Sequence, residues 1–348
     1  MRHSTLQIQR PFGRIALRSL IIIFTLLLLL ELLARLPFAQ AYLPIPSVGS
    51  AHRYLDWKIT LMERFLQTHG AVDCIFLGNS TTHRGIDPDL IGQVYAQTTG
   101  ETIDCFNFGL GGLTTHIAAQ LAPVIIAEYK PHWLIYGTNV RDTVDREAER
   151  VSSLIENTWY EYHTGHWSLK GWLIDHSQAF RYWLYTSNWL FPGPMSPAWK
   201  QAFIEDPITD YGYAPVAEVG STEPDPAFAD LFANYAVPDS WLESLHELAQ
   251  VQALGVQLVL VEVPVSDGTL AYFSDPTREY QVYLDAVTQF SRQNDLLFIP
   301  AQQRNLIPAD GWQDAGHMNQ IGARAFSQWL GQQLAQAVQD GRLSAFSR

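Results

Sequence analysis

Cysteine is nearly absent from this chain, with 2 in 348 residues. That excludes a disulfide scaffold and a Cys-rich metal site. Methionine numbers only 4 and lysine is scarce, so neither a Met-rich groove nor a polybasic tract is present. Basic residues are outnumbered 22 to 35, a formal net charge of -13. So acidic a chain is a poor partner for a phosphate backbone, which argues against nucleic acid. Charged residues make up 16% and hydrophobic residues 47%, so the chain can bury a large core and is not of disordered type. The length allows one large domain or two modest ones.

What is present is unevenly placed. Arg2, Arg10, Arg14 and Arg18 precede any acid, so the chain after Arg18 carries 18 basic and 35 acidic residues, a net of -17. The basic run is followed by Leu20 to Leu30 (LIIIFTLLLLL), in which Thr25 is the one polar residue. From Ile15 to Leu36 the stretch is long enough for a bilayer core, which needs about 20 helical residues. Glu31 falls near one end and can pair with Arg35 one turn on. The segment reads as an uncleaved anchor: residues 1–37 form a cytoplasmic basic tail and a transmembrane helix, and the acidic bulk is extracytoplasmic. Cleavage of a signal peptide near Ala41 is the alternative, because Ala39-Gln40-Ala41 has the small-x-small pattern.

Residues 38–70 read as a Pro- and Ser-bearing stalk (AYLPIPSVGS) followed by an amphipathic helix on Leu55, Ile59, Met62, Phe65 and Leu66. Beyond it, short apolar runs alternate with helical patterns. The runs begin at Cys74, Cys105, Trp133, Val256 and Leu296; the helices are expected over 87–97, 114–129, 239–254, 275–293 and 321–338. Strand then helix, repeated, predicts an α/β fold: a parallel sheet with helices on both faces. Residues 71–145 and 239–348 supply it. Residues 146–238 interrupt it as an insertion holding six of the 11 Trp and a net charge of -7, expected to bury most of its aromatics in a small core of its own. Cys74 and Cys105, in two predicted core strands, read as buried thiols.

The predicted strand ends carry the chemistry, as parallel sheets prescribe. The first runs into Gly78-Asn79-Ser80-Thr81, which holds a hydroxyl on a tight turn. The second runs into Asn107-Phe108-Gly109-Leu110-Gly111-Gly112, whose glycines let backbone N–H groups face a ligand. The third ends in Gly137-Thr138-Asn139, with a side-chain amide. Near the C-terminus, Asp314-Ala315-Gly316-His317 sets an acid within one turn of an imidazole. Together these make a nucleophile, oxyanion donors, a base and its orienter, the set that acyl transfer requires.

With these four blocks the chain resembles the SGNH (GDSL-type) hydrolases, and specifically the membrane-anchored branch of cell-envelope O-acyltransferases and esterases. Asn79, Leu113 and Val140 stand where the family often has Asp; the reactive positions are kept. The resemblance implies a three-layer α/β/α flavodoxin-like fold and a Ser80–His317–Asp314 catalytic triad. It implies an oxyanion hole from Ser80, Gly112 and Asn139, and no metal or cofactor. The expected activity is a serine esterase cleaving O-acyl esters of an envelope carbohydrate. An O-acyltransferase using the same triad, or a non-catalytic glycan-binding scaffold, are the alternatives. Partners would be the glycan ester, the membrane and envelope proteins. His83, Arg84, His116, Trp159 and Trp167 are candidates for substrate contact, against plainer readings as capping, surface or core residues. His163 and His166 read as a loop pair rather than metal ligands.

Overall fold

The computed structural model describes residues 9–50, 52–144, 152–187 and 207–345. Trp189, Trp199 and the Pro-rich piece around Phe191 lie outside the described residues. The N-terminal apolar helix α1 spans Gln9–Arg35, and a short helix α2 spans Pro37–Tyr42. From Gly13 to Arg35, α1 is long and apolar enough to cross a membrane, and its apolar window is not covered by the rest of the fold. Thr25 donates its hydroxyl to the Ile21 carbonyl at 2.8 Å, which satisfies the one polar side chain in the run.

The body follows as α3 (Arg53–His69), β1 (Cys74–Gly78), α4 (Ser80–Gly85), α5 (Pro88–Thr99), β2 (Cys105–Asn107), α6 (Thr115–Tyr129) and β3 (Trp133–Thr138). The insertion contributes α7 (Thr158–His163), α8 (Leu169–His176) and α9 (Gln178–Tyr185). The chain closes with α10 (Asp239–Ala249), β4 (Gln257–Glu262), α11 (Asp267–Leu270), α12 (Pro276–Gln293), β5 (Leu297–Ile299) and α13 (Gln320–Gln339). The strands form one sheet in the order β2-β1-β3-β4-β5. Every pairing is parallel. This is the doubly wound order in which ligands gather at the carboxyl ends near the β1/β3 switch point.

Alternation along the strands sorts side chains into two cores. Ile75, Leu77, Leu134 and Leu260 meet α3, α6, α10 and α12 on one face. Cys74, Phe76, Ile135 and Val261 meet α5 and α13 on the other. The expected three layers are therefore present. Their caps follow sequence: Asp87 accepts from Leu90 N ahead of Pro88, and Asn319 accepts from Ile321 N and Gly322 N.

Four expectations are corrected. Cys74 and Cys105 are joined as a disulfide. They are register partners on neighbouring strands, Cα atoms 4.6 Å apart, so their side chains emerge side by side on one face. The stretch read as a stalk is folded in: Ser47, Val48 and Ser50 are buried, and the Asp56 carboxylate accepts from Ser47 Oγ (2.5 Å), Ser50 Oγ (2.7 Å) and both backbone N–H groups of Val48 and Ser50. The insertion has no separate core among the described residues. Leu154, Trp159, Ile174, Leu184 and Phe232 belong to the same cluster as α3 and α6. The C-terminal part of the expected 239–254 helix also tightens into a 3₁₀ turn over Gln250–Leu254.

Candidate active site

β1 ends on Gly78, where a Cβ would stand 2.1 Å from Thr82 Oγ1 and 2.7 Å from the Gly137 carbonyl, so no side chain fits. The chain then turns at Asn79, the N-cap of α4, and presents Ser80 as the first helical residue. As the first residue of a helix, Ser80 has a backbone N–H with no partner inside that helix.

Ser80 Oγ lies 2.8 Å from His317 Nε2. His317 Nδ1 donates to Asp314, 2.9 Å from each carboxylate oxygen. Asp314 Oδ1 also accepts from the Gly316 and His317 backbone N–H groups at 2.8 and 2.9 Å, which fixes the carboxylate on its own loop. Burial by itself would raise the Asp314 pKa, but these hydrogen bonds and the facing imidazole bring it down to about 2. Burial lowers the pKa of His317; Asp314 opposes this, and the positive charges of Arg84 and Arg141 add to it. The net shift is downward, so the ring is neutral near pH 7. A carboxylate at Nδ1 holds the proton there and leaves the Nε2 lone pair facing the Ser80 hydroxyl.

Behind Ser80 runs a closed polar cycle. Asn79 Oδ1 accepts from Thr81 N and Thr81 Oγ1, both at 2.8 Å. Asn79 Nδ2 donates to Asp142 Oδ1 at 2.5 Å, and Asn139 N donates to Asp142 Oδ2 at 3.1 Å. Asn139 Nδ2 returns to Thr81 Oγ1 at 2.8 Å. Asn139 is fully buried at the end of β3, with one of its amide N–H groups committed to Thr81. Gly112 sits exposed in the turn after β2 at φ 76°, the left-handed region that favours glycine.

The candidate contact residues separate. His83 is buried, packed against Tyr54 with ring centres 4.7 Å apart, and neither ring nitrogen has a hydrogen-bond partner among the described residues. Burial first, then the charges of Lys58 and Arg84, push its pKa well below the usual value, so it is a neutral packed ring. Trp159 is also interior, 1% exposed, its ring 4.6 Å from that of His163. Neither forms an open stacking surface. Trp167 is exposed on the loop before α8. Arg84 donates to Gln313 Oε1 at 2.7 Å and so braces the loop that carries His317. His116 alone faces a recess next to the cycle: a depression of about 360 Å³ lined by Thr114, Thr115, Asp142, Thr143 and Glu247 among others. His163 lies between Asp175 (3.0 Å) and Glu128 (3.3 Å). Burial lowers its pKa, but the two carboxylates outweigh that and raise it to about 9.

Several structural contributors escape a reading of the blocks alone. Lys58 on α3 is fully buried and donates Nζ to the Asn107 carbonyl at 2.6 Å and to the Gly212 carbonyl. It thereby pins residues 207–222, the returning end of the insertion, to the tip of β2. That segment continues across the strand ends. Tyr211 O accepts from Asn107 N, Ala214 N donates to His83 O, Gln320 N donates to Val216 O, and Gly220 N donates to Trp312 O. Arg141 lies against Gly316, where a Cβ would come within 1.9 Å of its Nη1. The spacing Asn139-x-x-Asp142 is that of a capping box, and the box is present. Lys58, three residues after Leu55 on the apolar stripe, is likewise a visible anomaly.

No protein-family model and no curated protein matches the chain. Among solved structures, it is similar to a lipase/acylhydrolase from Enterococcus faecalis, at 14% identity over 80% of this chain and 100% of that one, with a TM-score of 0.40. It is similar to a GDSL-like lipase from Bacteroides thetaiotaomicron at 9% identity, covering 80% of this chain and 98% of the other, TM-score 0.38. It is also similar to an acetylxylan esterase from Geobacillus stearothermophilus, in a catalytic-mutant structure, at 15% identity, covering 79% and 94%, TM-score 0.38. Likeness at this level leaves the chemistry to be read from the side chains.

Proposed function

We propose that this chain is a membrane-tethered serine esterase of the SGNH (GDSL-type) hydrolases, cleaving O-acyl groups from an envelope carbohydrate through an acyl-enzyme. The observation that carries the reading is the continuous Ser80–His317–Asp314 hydrogen-bond chain at the carboxyl edge of a parallel sheet. His317 Nε2 takes the hydroxyl proton as Ser80 Oγ bonds to the ester carbonyl carbon. Asp314 stabilises the imidazolium formed. The tetrahedral oxyanion is met by the backbone N–H groups of Ser80 and Gly112 and by the remaining amide N–H of Asn139. Collapse breaks the carbon–oxygen bond to the sugar, whose oxygen receives the proton from His317. Water, deprotonated by His317, then releases the acid and restores Ser80.

The recess beside Asp142 is the proposed carbohydrate subsite; its walls include the hydroxyls of Thr114, Thr115, Thr143, Ser240 and Ser244 with the carboxylates of Glu243 and Glu247. Such a lining suits a polyol better than an acyl chain. The helix α1 supplies the tether, with its Arg-bearing end in the cytoplasm and the acidic body outside.

The test uses full-length protein in detergent with aryl acetates and acetylated oligosaccharides. Ser80→Ala and His317→Ala each lower kcat/KM by at least about 10³-fold, and a fluorophosphonate probe labels Ser80. Wild-type rates in either variant would sink the assignment. Acyl transfer to added oligosaccharide that outruns hydrolysis would convert the esterase into an acyltransferase. Absence of both turnover and labelling would favour a glycan-binding scaffold.

A further inference from the structure

The end of α1 does more than lead out of the apolar run. Glu31 accepts from Ser177 Oγ (2.7 Å), Gln178 N (3.1 Å) and Ala179 N (3.1 Å), so its carboxylate caps the N-terminus of α9. Arg35 holds Glu31 at 2.6 Å and donates Nη2 to the His176 carbonyl at 2.7 Å, at the end of α8. The vertex of the α8–α9 hairpin is thus bolted to the last two turns of α1. A carboxylate near the edge of a bilayer is costly unless satisfied, and here four donors satisfy it. A leader removed after Ala41 would take both side chains with it and strip these caps, which favours a retained α1.

The position of the hairpin follows from simple lengths. From Ile15 to Leu33 the apolar helix rises about 28 Å, against a hydrocarbon core of about 30 Å. Glu31, about 24 Å along the helix from Ile15, therefore lies roughly 6 Å inside the outer boundary. Trp172 and Trp183 stand five and six residues from Ser177 at the vertex, about 8 and 9 Å along their helices, while an interfacial layer is roughly 5–8 Å deep. The outward face of the hairpin carries Leu169, Trp172 and Trp183, 61%, 41% and 60% exposed, beside the exposed Lys170 and His176. Phe38 and Tyr42 on α2, just past the span, are 72% and 78% exposed. Tryptophan and tyrosine concentrate at this depth of a membrane, where an apolar ring and a polar N–H or O–H are both accommodated.

We propose that the α8–α9 hairpin is a second membrane contact: its Trp-bearing face lies in the interfacial layer of the same bilayer that α1 crosses, held there by Glu31 and Arg35. This rests on the reading of α1 as a retained span. The insertion then fixes the tilt of the sheet against the membrane, and with it the side from which an envelope ester reaches Ser80.

The experiment places one thiol at a time in the full-length chain, since Cys74 and Cys105 are paired. Trp172→Cys, Trp183→Cys, Leu28→Cys within the span and Leu254→Cys on an exposed 3₁₀ turn are labelled with an environment-sensitive dye in phosphatidylcholine nanodiscs. Nitroxide lipids with shallow or deep spin positions serve as quenchers. The shallow lipid should quench labels 172 and 183 severalfold, the deep lipid label 28, and neither label 254. Adding Glu31→Ala should relieve the quenching at 183 and leave that at 28 intact. Quenching at 28 with none at 172 and 183 overturns the proposal and spares the span. No quenching at 28 removes the span, and the proposal with it, while the esterase assay stands apart.

Discussion

At the carboxyl edge of the sheet, polar side chains first find partners two or three residues away: Asn79 with Thr81, Asn139 with Asp142, Asp314 with His317. The sheet then brings these prefabricated turns together, as when Asn79 meets Asp142 and Ser80 meets His317. The insertion works the other way. Its helices are fastened by long-range ion pairs and caps: Arg181 to Glu63, His163 to Glu128, Glu31 to Ser177. Local caps place atoms tightly because few dihedrals separate the partners. Remote fastenings place whole helices and leave their outward faces free to meet something else.

The sharpest way to test the prefabricated edge is Asp314→Asn. An amide would accept poorly from Nδ1–H and favour the wrong imidazole tautomer, so kcat is expected to fall by about 10⁴ while the fold persists. A loss under tenfold in steady-state kinetics would mean that the loop alone orients His317. Next comes Asn139→Ala, expected to cost about 10²–10³ in kcat if its amide meets the oxyanion. Thr81→Val separates roles, because it cuts the polar cycle and leaves that amide in place. Equal losses in the two variants would make Asn139 a positioning residue only.

The insertion side is probed by Lys58→Met. Shape is nearly kept, but the buried carbonyls of Asn107 and Gly212 lose their donor, at about 1–3 kcal/mol for each group left unsatisfied. Urea unfolding should show the loss; an unchanged midpoint would mean that the 207–222 segment is held without Lys58. The smallest effect is in pH. As the proposed base His317 would act as the neutral ring, and with its pKa lowered from 6.5, kcat/KM should rise with pH through a midpoint under 6.5 and then level off. Asp314, at about 2, stays ionised throughout. A midpoint above 6.5 would show that burial, with Arg84 and Arg141, does not outweigh the pull of Asp314.

The contrast also explains what a sequence reader can find. Ser80, Asp314 and His317 are legible because strand-end turns and short acid–base spacings are local. The strands and most helices were legible from periodicity and caps for the same reason. The Cys74–Cys105 bond was not, since it depends on the register between β1 and β2, which the intervening 31-residue separation does not encode. The membership of Trp159 and Ile174 in the main core was hidden too. An apolar residue announces that it will be buried, not which neighbours will bury it. Lys58 was visible as a cation on an apolar stripe, but its acceptors lie 49 and 154 positions away.

The segment over residues 207–222 has a consequence in time. It bonds to Asn107, His83, Trp312 and Gln320, partners separated from it by roughly a hundred residues along the chain in each direction. Contacts of such span close slowly, because the entropy of closing a long loop must be overcome before they form. The loops that carry Ser80 and His317 are therefore completed late, after the central strands have paired. On refolding from urea, esterase activity should recover with a lag behind far-ultraviolet circular dichroism, and simultaneous recovery would show that the segment docks with the sheet rather than after it.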